Sequence, residues 1–230
     1  MAVHEAPRWD VTPAEARQIQ EALRDRVSLQ DAASLDAIQL VAGIDNTYVK
    51  HEGKTTAYAV IVLFTFPDLV QVETVYAERV VTFPYVPGLL SFREIPTILD
   101  AWERLEIHPD LVLCDGHGYA HPRRLGLATH LGIVLDRPTI GCAKSRLVGT
   151  WDEPERTFGA YTPLMIGDEH VGAAVRTRPR HKPLFVSPGH MISITTAIRL
   201  TLACCRGGFM PVPTTTAHDL VTAYARPHRI

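Results

Sequence analysis

The chain has 230 residues, 46% of them hydrophobic, and a formal net charge of -2. That length supports one sizeable core, so a single domain spanning residues 1–230 is expected. The near-neutral charge excludes a globally basic surface, and any affinity for nucleic acid must therefore come from a local patch.

Cysteine usage and hydropathy indicate the compartment. The four cysteines show no CxxC spacing, and two of them, Cys204 and Cys205, are neighbours. This pattern favours reduced, buried thiols in a cytosolic protein and gives no support to a zinc site. No apolar run approaches the length of a membrane span, and the polar N-terminus shows no signal core. We therefore expect a cytoplasmic protein that does not enter a membrane, and we expect a monomer.

The first part of the chain predicts a surface helix followed by three strands. Residues 12–15, TPAE, combine an N-cap, a proline in the first turn and a capping-box glutamate, so a helix should run from about 13 to 26. Short KHEG and FPDL segments separate three β-rich stretches, at 39–49, 55–66 and 70–83. Antiparallel hairpin pairing is expected for these stretches.

The remainder predicts alternating helices and strands. After a helix at about 92–105, a strand at 110–115, a helix at 124–135 and a strand at 139–144 imply a parallel pair with a crossover helix. The tail adds a strand pair and a final helix, at 171–176, 184–186 and 193–205. Three antiparallel strands followed by parallel strands, flanked by helices, are typical of ribonuclease H-like α/β folds. That is one topology among several that fit this order.

Two strand-borne aspartates are candidate metal ligands. Asp45 interrupts the β-forming run LVAGIDNTYV, and Asp115 ends the apolar run LVLCD. Buried carboxylates are rare unless they are paired or bound to a metal. On adjacent strands the two side chains would converge, and a Mg²⁺ site needs little more than such carboxylates and substrate phosphate oxygens. The alternative is that Asp45 lies on the exposed face of an edge strand.

Three more ionisable residues lie near predicted element ends. Glu94 follows Ser91 at capping-box spacing, so it either caps its own helix or serves as a third acid. Lys144 closes the strand TIGCAK, at the edge where α/β sheets bind ligands, unless it is only a solvated terminus. His190, in the turn SPGH, is a candidate general base, ligand or helix cap.

Two segments are rich in cationic side chains. The first, DGHGYAHPRRLG, follows the strand that ends in Asp115, and the second is RTRPRHK at 176–182. Guanidinium groups match phosphate geometry, so both are candidate contacts to a nucleic-acid backbone. A solvated surface is the alternative, and the second segment favours it more than the first.

Tyr85 lies between two prolines in the segment PYVPG, at 84–88. Prolines restrict the backbone, so the ring would be presented on a stiff loop, as expected of a wedge that stacks on bases or separates them. Enzymes that inspect a single base extrude it and must brace the gap it leaves. A packed surface loop is the alternative interpretation.

Taken in order, these segments resemble the endonuclease V family of deoxyinosine-specific repair nucleases over about residues 39–205. The resemblance is carried by GIDNTYV, FPYVPGLLSFRE, DGHGYAHPRRLGLATH, TIGCAKSRL and SPGH. It implies a ribonuclease H-like fold, Mg²⁺ dependence with Mn²⁺ as a substitute, and hydrolysis of the second phosphodiester bond 3′ to deoxyinosine, leaving 3′-hydroxyl and 5′-phosphate ends. Single-stranded DNA and RNA are further candidate partners. The alternatives are an inosine-specific ribonuclease and a non-catalytic nucleic-acid-binding module.

The resemblance also implies roles for individual residues. Asp45, Asp115 and Glu94 would be the metal-binding acids, with Lys144 and His190 as the remaining active-site residues. The strand-separating wedge and the pocket for an extruded hypoxanthine would be formed by Pro84, Tyr85, Val86, Pro87, Gly88, Leu90, Gly116, His117 and Leu127. The chain departs from the family pattern at Asn46, where an apolar residue is common, and near Thr215, where many members carry an arginine.

Overall fold

The computed structural model describes residues 8–228. Its strands are β1 (Leu40–His51), β2 (Lys54–Thr65), β3 (Gln71–Val80), β4 (Leu111–Asp115), β5 (Thr139–Ala143), β6 (Tyr161–Ile166), β7 (Glu169–Val175) and β8 (Leu184–His190). Its α-helices are α1 (Pro13–Arg24), α2 (Ser91–Trp102), α3 (Leu127–Leu135), α4 (Ile194–Ala203) and α5 (Val212–Ala225). Within the described residues, no helix combines the length and the apolar character needed to cross a bilayer. Residues 1–7, which belong to the N-terminus predicted to lack a signal core, fall outside this range.

The strands form one eight-stranded mixed sheet in the order β3-β2-β1-β4-β5-β8-β7-β6. Strands β1 to β3 form an antiparallel meander, β4 is parallel to both β1 and β5, and β8 returns antiparallel to β5. The predicted mixed α/β fold, with three antiparallel strands followed by parallel strands, is confirmed. Strand β1 lies inside the sheet, so the edge-strand interpretation of Asp45 is wrong.

Helices cover both faces of the sheet. Because side chains alternate along a strand, Val41 and Leu113 belong to the core cluster that includes residues of α4 and α5, while Ile44 and Val112 belong to the cluster formed with α2 and α3. Positions 45 and 115 have the same parity as Val41 and Leu113. Both aspartates therefore lie on the α5 side of the sheet.

Helix α1 begins as the sequence predicts. Thr12 and Glu15 form the reciprocal capping box, and Ala16 packs with Phe83, Leu89 and Phe92 in a small apolar cluster. This cluster attaches α1 to the loop that precedes α2, which brings α1 next to the PYVPG segment.

Two elements were not predicted, β6 and α5. Strand β6 forms the outer edge of the sheet, contains Pro163 and alternates between buried and exposed positions only in part. Helix α5 begins in PVPTTTA, where threonines and prolines give a poor helix signal. Packing of α5 against β1 and β2 stabilises a helix that its local sequence alone does not favour.

Candidate active site

Asp45 lies midway along β1, just beyond the residues that pair with β4, and is beside Asp115 at the carboxyl end of β4. Ile44 pairs with Cys114 in the β1–β4 register, so the next residue on each strand carries a carboxylate on the same face. Asp45 Oδ1 accepts a hydrogen bond from the Asn46 backbone N–H at 2.8 Å. Burial, opposed by the hydrogen bond from His218 and reinforced by the charge of Asp115, raises the pKa of Asp45.

His218 of α5 completes this group, and the sequence analysis missed it. Its Nδ1 lies 2.8 Å from Asp45 Oδ2, and one ligand atom from each of Asp45, Asp115 and His218 lies within 4.8 Å of the others. No spacing rule connects a histidine near the end of the chain to β1. The one local indication is that His218 lies three residues after Thr215, where the chain departs from the family pattern.

Glu94 is buried behind the two aspartates, and the predicted capping box is not formed. Helix α2 has no side-chain cap, and Ser91 Oγ instead lies 2.9 Å from His130 Nδ1. Glu94 Oε1 accepts a hydrogen bond from the Tyr48 hydroxyl at 3.4 Å. Burial, and then the charge of Asp45, raises the pKa of Glu94 to about 8. Glu94 is therefore free of a capping role and interacts electrostatically with the aspartates.

Lys144 places a cation at the same edge of the sheet. Its Nζ lies 2.6 Å from Asp115 Oδ2, and its side chain remains 44% exposed. The predicted position at the carboxyl end of β5 thus brings Lys144 to the acids. Lys144 pairs with only one of the acids, and the oxygen ligands of the group suit a divalent cation.

His190 does not join these residues. The His190 backbone pairs with Thr139, at the start of β5. Asp115 instead pairs with Cys142 of β5, which in turn pairs with Val186 of β8, four residues before His190. Four residues along a strand correspond to roughly 13 Å. His190 Nδ1 accepts a hydrogen bond from the Ser28 backbone N–H at 3.2 Å, and burial lowers its pKa. The structure therefore places His190 in the core, where its ring holds the segment after α1.

A cavity of about 190 Å³ opens beside the acids. Its lining includes every predicted substrate-binding residue except Pro84: Tyr85, Val86, Pro87, Gly88, Leu90, Gly116, His117 and Leu127. It also includes Gln20, His121 and Leu147, which the sequence analysis did not select for this role. Pockets for drug-sized ligands measure roughly 300–1,000 Å³, so this smaller cavity suits a small heterocycle of one or two fused rings.

Tyr85 lies at the mouth of the cavity and is 73% exposed. Such exposure of a large aromatic ring has no explanation in core packing, because the ring buries little surface. The loop that carries Tyr85 is anchored by Val86 and Leu89, which pack with residues of α1. The packed-loop interpretation therefore applies to the neighbours of Tyr85 and not to its ring.

The predicted cationic segments contribute less free charge than their sequences suggest. Burial lowers the pKa of His117, and burial lowers that of His121 to about 4, so both rings are neutral near pH 7. Arg124 forms an ion pair with Glu169 at 2.5 Å. In the second segment Arg176 is buried and bonds to Glu153 and to neighbouring carbonyls. These groups chiefly hold loops together.

Carboxylates on β1 and β4, a lysine that follows β5 and a histidine on α5, brought together on a ribonuclease H-like fold, are typical of a nuclease. A model of the endonuclease V family matches residues 21–219. The endonuclease V of Roseiflexus sp. (strain RS-1) is 48% identical over 218 residues, which are 95% of each chain. The chain therefore belongs to the endonuclease V family, a family of DNA repair nucleases that hydrolyse phosphodiester bonds.

Solved structures agree with this assignment. The structure of Bacillus subtilis endonuclease V superimposes with a TM-score of 0.92 at 33% identity, covering 99% of this chain and 100% of that one. Ciona intestinalis endonuclease V, at TM-score 0.81 and 27% identity, covers 94% of this chain and 98% of its own. The Ciona protein was solved in complex with a 24mer DNA containing an inosine followed by a ribo-adenosine.

Proposed function

We propose that this chain cuts DNA at deoxyinosine, hydrolysing the second phosphodiester bond 3′ to the lesion and leaving 3′-hydroxyl and 5′-phosphate ends. One observation carries the proposal. Asp115 supplies a carboxylate to the acidic group, and the next residue, Gly116, lines the cavity. A base extruded into the cavity would therefore leave its own backbone beside the acids.

Recognition would depend on the shape of the cavity and on backbone groups. Gly88 has a φ of +79°, a conformation that glycine adopts without strain, and Gly116 faces it from the turn after β4. Hypoxanthine has a hydrogen where guanine has its 2-amino group and a carbonyl oxygen where adenine has its 6-amino group. A cavity that is tight at the first position and offers a hydrogen-bond donor at the second would therefore reject both bases. A few kcal/mol of clash or lost hydrogen bonding gives discrimination of about a hundredfold or more.

Tyr85 would act as the wedge. Its exposed ring lies at the cavity mouth, in position to stack on the bases that remain when one nucleotide leaves the duplex. Stacking of a base on an aromatic side chain contributes about 1–3 kcal/mol and tolerates any base. This role agrees with the need to recognise the lesion in many sequence contexts.

Mg²⁺, with Mn²⁺ as a substitute, fits the acidic group. Burial first, and then the charge of the neighbouring acids, raises the pKa values of Asp45 and Glu94, and a bound cation would relieve that repulsion. Carboxylate oxygens are the ligands that Mg²⁺ prefers. Asp45 and Asp115 would hold the ion, with Glu94 as the third acid. When bound, it would polarise the scissile phosphate and lower the pKa of the attacking water.

Lys144 and His218 would assist from the protein side. Lys144 is paired with Asp115 and partly exposed, so it is available to orient water or to offset charge that develops on the phosphate. His218 would orient the Asp45 carboxylate and take part in ion binding or proton transfer, the role the sequence analysis gave to His190. A cytoplasmic location is consistent with the four buried, free cysteines, which a reducing compartment keeps unpaired.

Cleavage of inosine-containing RNA is the second candidate. The complex of Ciona endonuclease V, whose DNA carries a ribo-adenosine after the inosine, favours it, because a ribonucleotide occupies the position next to the lesion there. Matched deoxyinosine and inosine oligonucleotides decide between the two substrates, since the sugar 2′-hydroxyl is the difference that proteins read.

The experiment uses a labelled duplex with one deoxyinosine, an identical duplex with deoxyadenosine, and the two single strands. Each is incubated with Mg²⁺ and with EDTA, and the product is mapped at nucleotide resolution. We expect one nick, at the second bond 3′ to deoxyinosine, only with Mg²⁺. A nick at the same rate in the deoxyadenosine duplex, or no nick in any substrate, would contradict the proposal.

A further inference from the structure

Gln20, on α1, lies behind the cavity with 1% of its surface exposed. Its amide Nε2 donates hydrogen bonds to the backbone carbonyls of Gly88 and Leu125, both at 3.1 Å. Its Oε1 accepts a hydrogen bond from Arg123 Nε at 2.5 Å. A buried amide is costly unless its polar atoms are paired, and here both are paired with groups around the cavity.

The two carbonyls belong to different walls of the cavity. Gly88 lies in the loop that carries Tyr85, and Leu125 precedes Leu127 on the loop that leads into α3. Since one amide nitrogen is bonded to both carbonyls, it fixes their separation. The width of the cavity at this point is therefore set by Gln20.

The Gly88 peptide is held in one orientation from three directions. Besides Gln20, its carbonyl oxygen accepts a hydrogen bond from Arg123 Nη2 at 2.8 Å and pairs with His121 Nε2 at 3.1 Å. A Cβ atom at position 88 would lie 2.9 Å from Arg123 Nη2. With no side chain to anchor it and a positive φ, this peptide depends on polar contacts for its orientation.

Attachment of α1 does not require these bonds. Ala16, one turn earlier, is fully buried in the apolar cluster with Phe83, Leu89 and Phe92. An apolar residue at position 20 would continue that packing, whereas the amide bonds to the two cavity walls and to Arg123, whose guanidinium also bonds to Gly88. The bonds are thus best explained by the cavity and not by the helix.

We infer that Gln20 is a positioning residue for base recognition, which sets the width of the cavity and thereby its preference for hypoxanthine. The inference rests on the proposed function, because it gives the cavity an extruded base as its ligand. Gln20 itself would not touch the reacting phosphate. Its loss should therefore affect lesion-specific affinity and leave non-specific affinity for DNA unchanged.

The test compares Gln20→Met and Gln20→Glu with Ala16→Gly. Met keeps the length of the side chain and removes every hydrogen bond, and Glu keeps the acceptor for Arg123 while losing the donor to the two carbonyls. Ala16→Gly weakens α1 by about 1 kcal/mol and leaves every hydrogen bond of Gln20 in place, so it controls for loosening of the helix and its apolar cluster. Affinities for fluorescent deoxyinosine and deoxyadenosine duplexes are measured by anisotropy with Ca²⁺ in place of Mg²⁺. Each variant is measured at a temperature at which circular dichroism reports it folded.

We expect the ratio of the two affinities to fall about tenfold in both Gln20 variants, the scale of one or two lost hydrogen bonds, and to stay unchanged in Ala16→Gly. Equal losses on both duplexes, or an unchanged ratio, would overturn the role of Gln20 while the preference of the unaltered protein stands. Absence of any preference in the unaltered protein would instead refute the proposed function, and the inference with it.

Discussion

The Nδ1 atom of His218 lies 2.8 Å from Oδ2 of Asp45, although 173 positions separate the two residues in the sequence. Helix α5 covers the face of the sheet to which Asp45 and Asp115 point, so the end of the chain completes a site that begins on β1. His218 is 53% exposed, which leaves its ring accessible from solvent. It is the histidine that lies with the two aspartates.

His218→Ala should lower the rate of deoxyinosine cleavage by at least tenfold with little change in thermal stability, because the ring is half exposed and its contact is with Asp45. His190→Ala should instead lower thermal stability and leave the cleavage rate of the folded protein little changed. It removes the acceptor of the Ser28 N–H, and an unpaired buried donor costs about 1–3 kcal/mol. Single-turnover rates and thermal melts of both variants check this pair. Loss of activity in folded His190→Ala alone would restore the sequence-based assignment.

Asp45→Asn and Asp115→Asn should each reduce cleavage at least a hundredfold while retaining DNA binding. Asparagine preserves the size of the side chain and removes the charge that would hold the metal. The metal-free variants should not be less stable than the parent, since each aspartate raises the pKa of Glu94 by repulsion. Gel assays across a Mg²⁺ titration, together with filter binding, measure both effects. Near-normal turnover in both variants would exclude the acidic group as the active site.

Tyr85→Ala should weaken binding to deoxyinosine DNA by roughly 1–3 kcal/mol, the contribution of one stacking contact. Tyr161→Ala provides the control, because Tyr161 is likewise an exposed tyrosine but lies on β6, at the far edge of the sheet. Fluorescence anisotropy with both variants measures the difference. An equal effect from both substitutions would show that Tyr85 is not a wedge.

The pKa of Glu94 predicts how metal-free stability depends on pH. The folded protein keeps the Glu94 proton up to about pH 8, whereas an unfolded chain loses it near 4.5. The folded state therefore binds more protons between these values, and its stability must fall as pH rises through that window. Burial lowers the pKa of His121 to about 4 and that of His130 to about 3. These two histidines make stability rise with pH, but only below about pH 6.5, where a histidine in the unfolded chain is protonated.

Thermal melts in EDTA between pH 6.5 and 8.5 isolate this effect. The melting temperature should fall across this range, Glu94→Gln should remove most of the fall, and Mg²⁺ should restore stability most strongly at the upper end. A flat profile for the unaltered protein in EDTA would mean that Glu94 is already ionised near neutral pH.

Much of the fold could be predicted because local signals and tertiary packing agree. The capping box at Thr12 defines the start of α1, and apolar runs that end in Asp115 and Lys144 define β4 and β5. The convergence of Asp45 and Asp115 is predicted only on the condition that their strands are neighbours, and the pairing of β1 with β4 meets that condition. Apart from Pro84, the residues of PYVPG and of the turn after β4 that are expected near a base line one cavity.

The rest depends on contacts that no local pattern records. Helix α5 is stabilised by the sheet and not by its threonine-rich start, so the position of His218 could not be predicted. Ser91 and Glu94 have capping-box spacing, yet Ser91 contacts His130 and Glu94 is turned towards the acids. Gln20 reads as one polar residue of a surface helix, and only the fold brings it against Gly88 and Leu125.

The glycine two residues before Asp45 has a consequence for how the family can vary. A methyl group at position 43 would lie 2.0 Å from the carbonyl oxygen of Pro213, so even alanine there would force α5 away from β1. Such a shift would carry the imidazole of His218 off its carboxylate partner while leaving all the acids in place. Substitution of Gly43, which has no reactive side chain, would thus disable the enzyme even though every reactive side chain is still present.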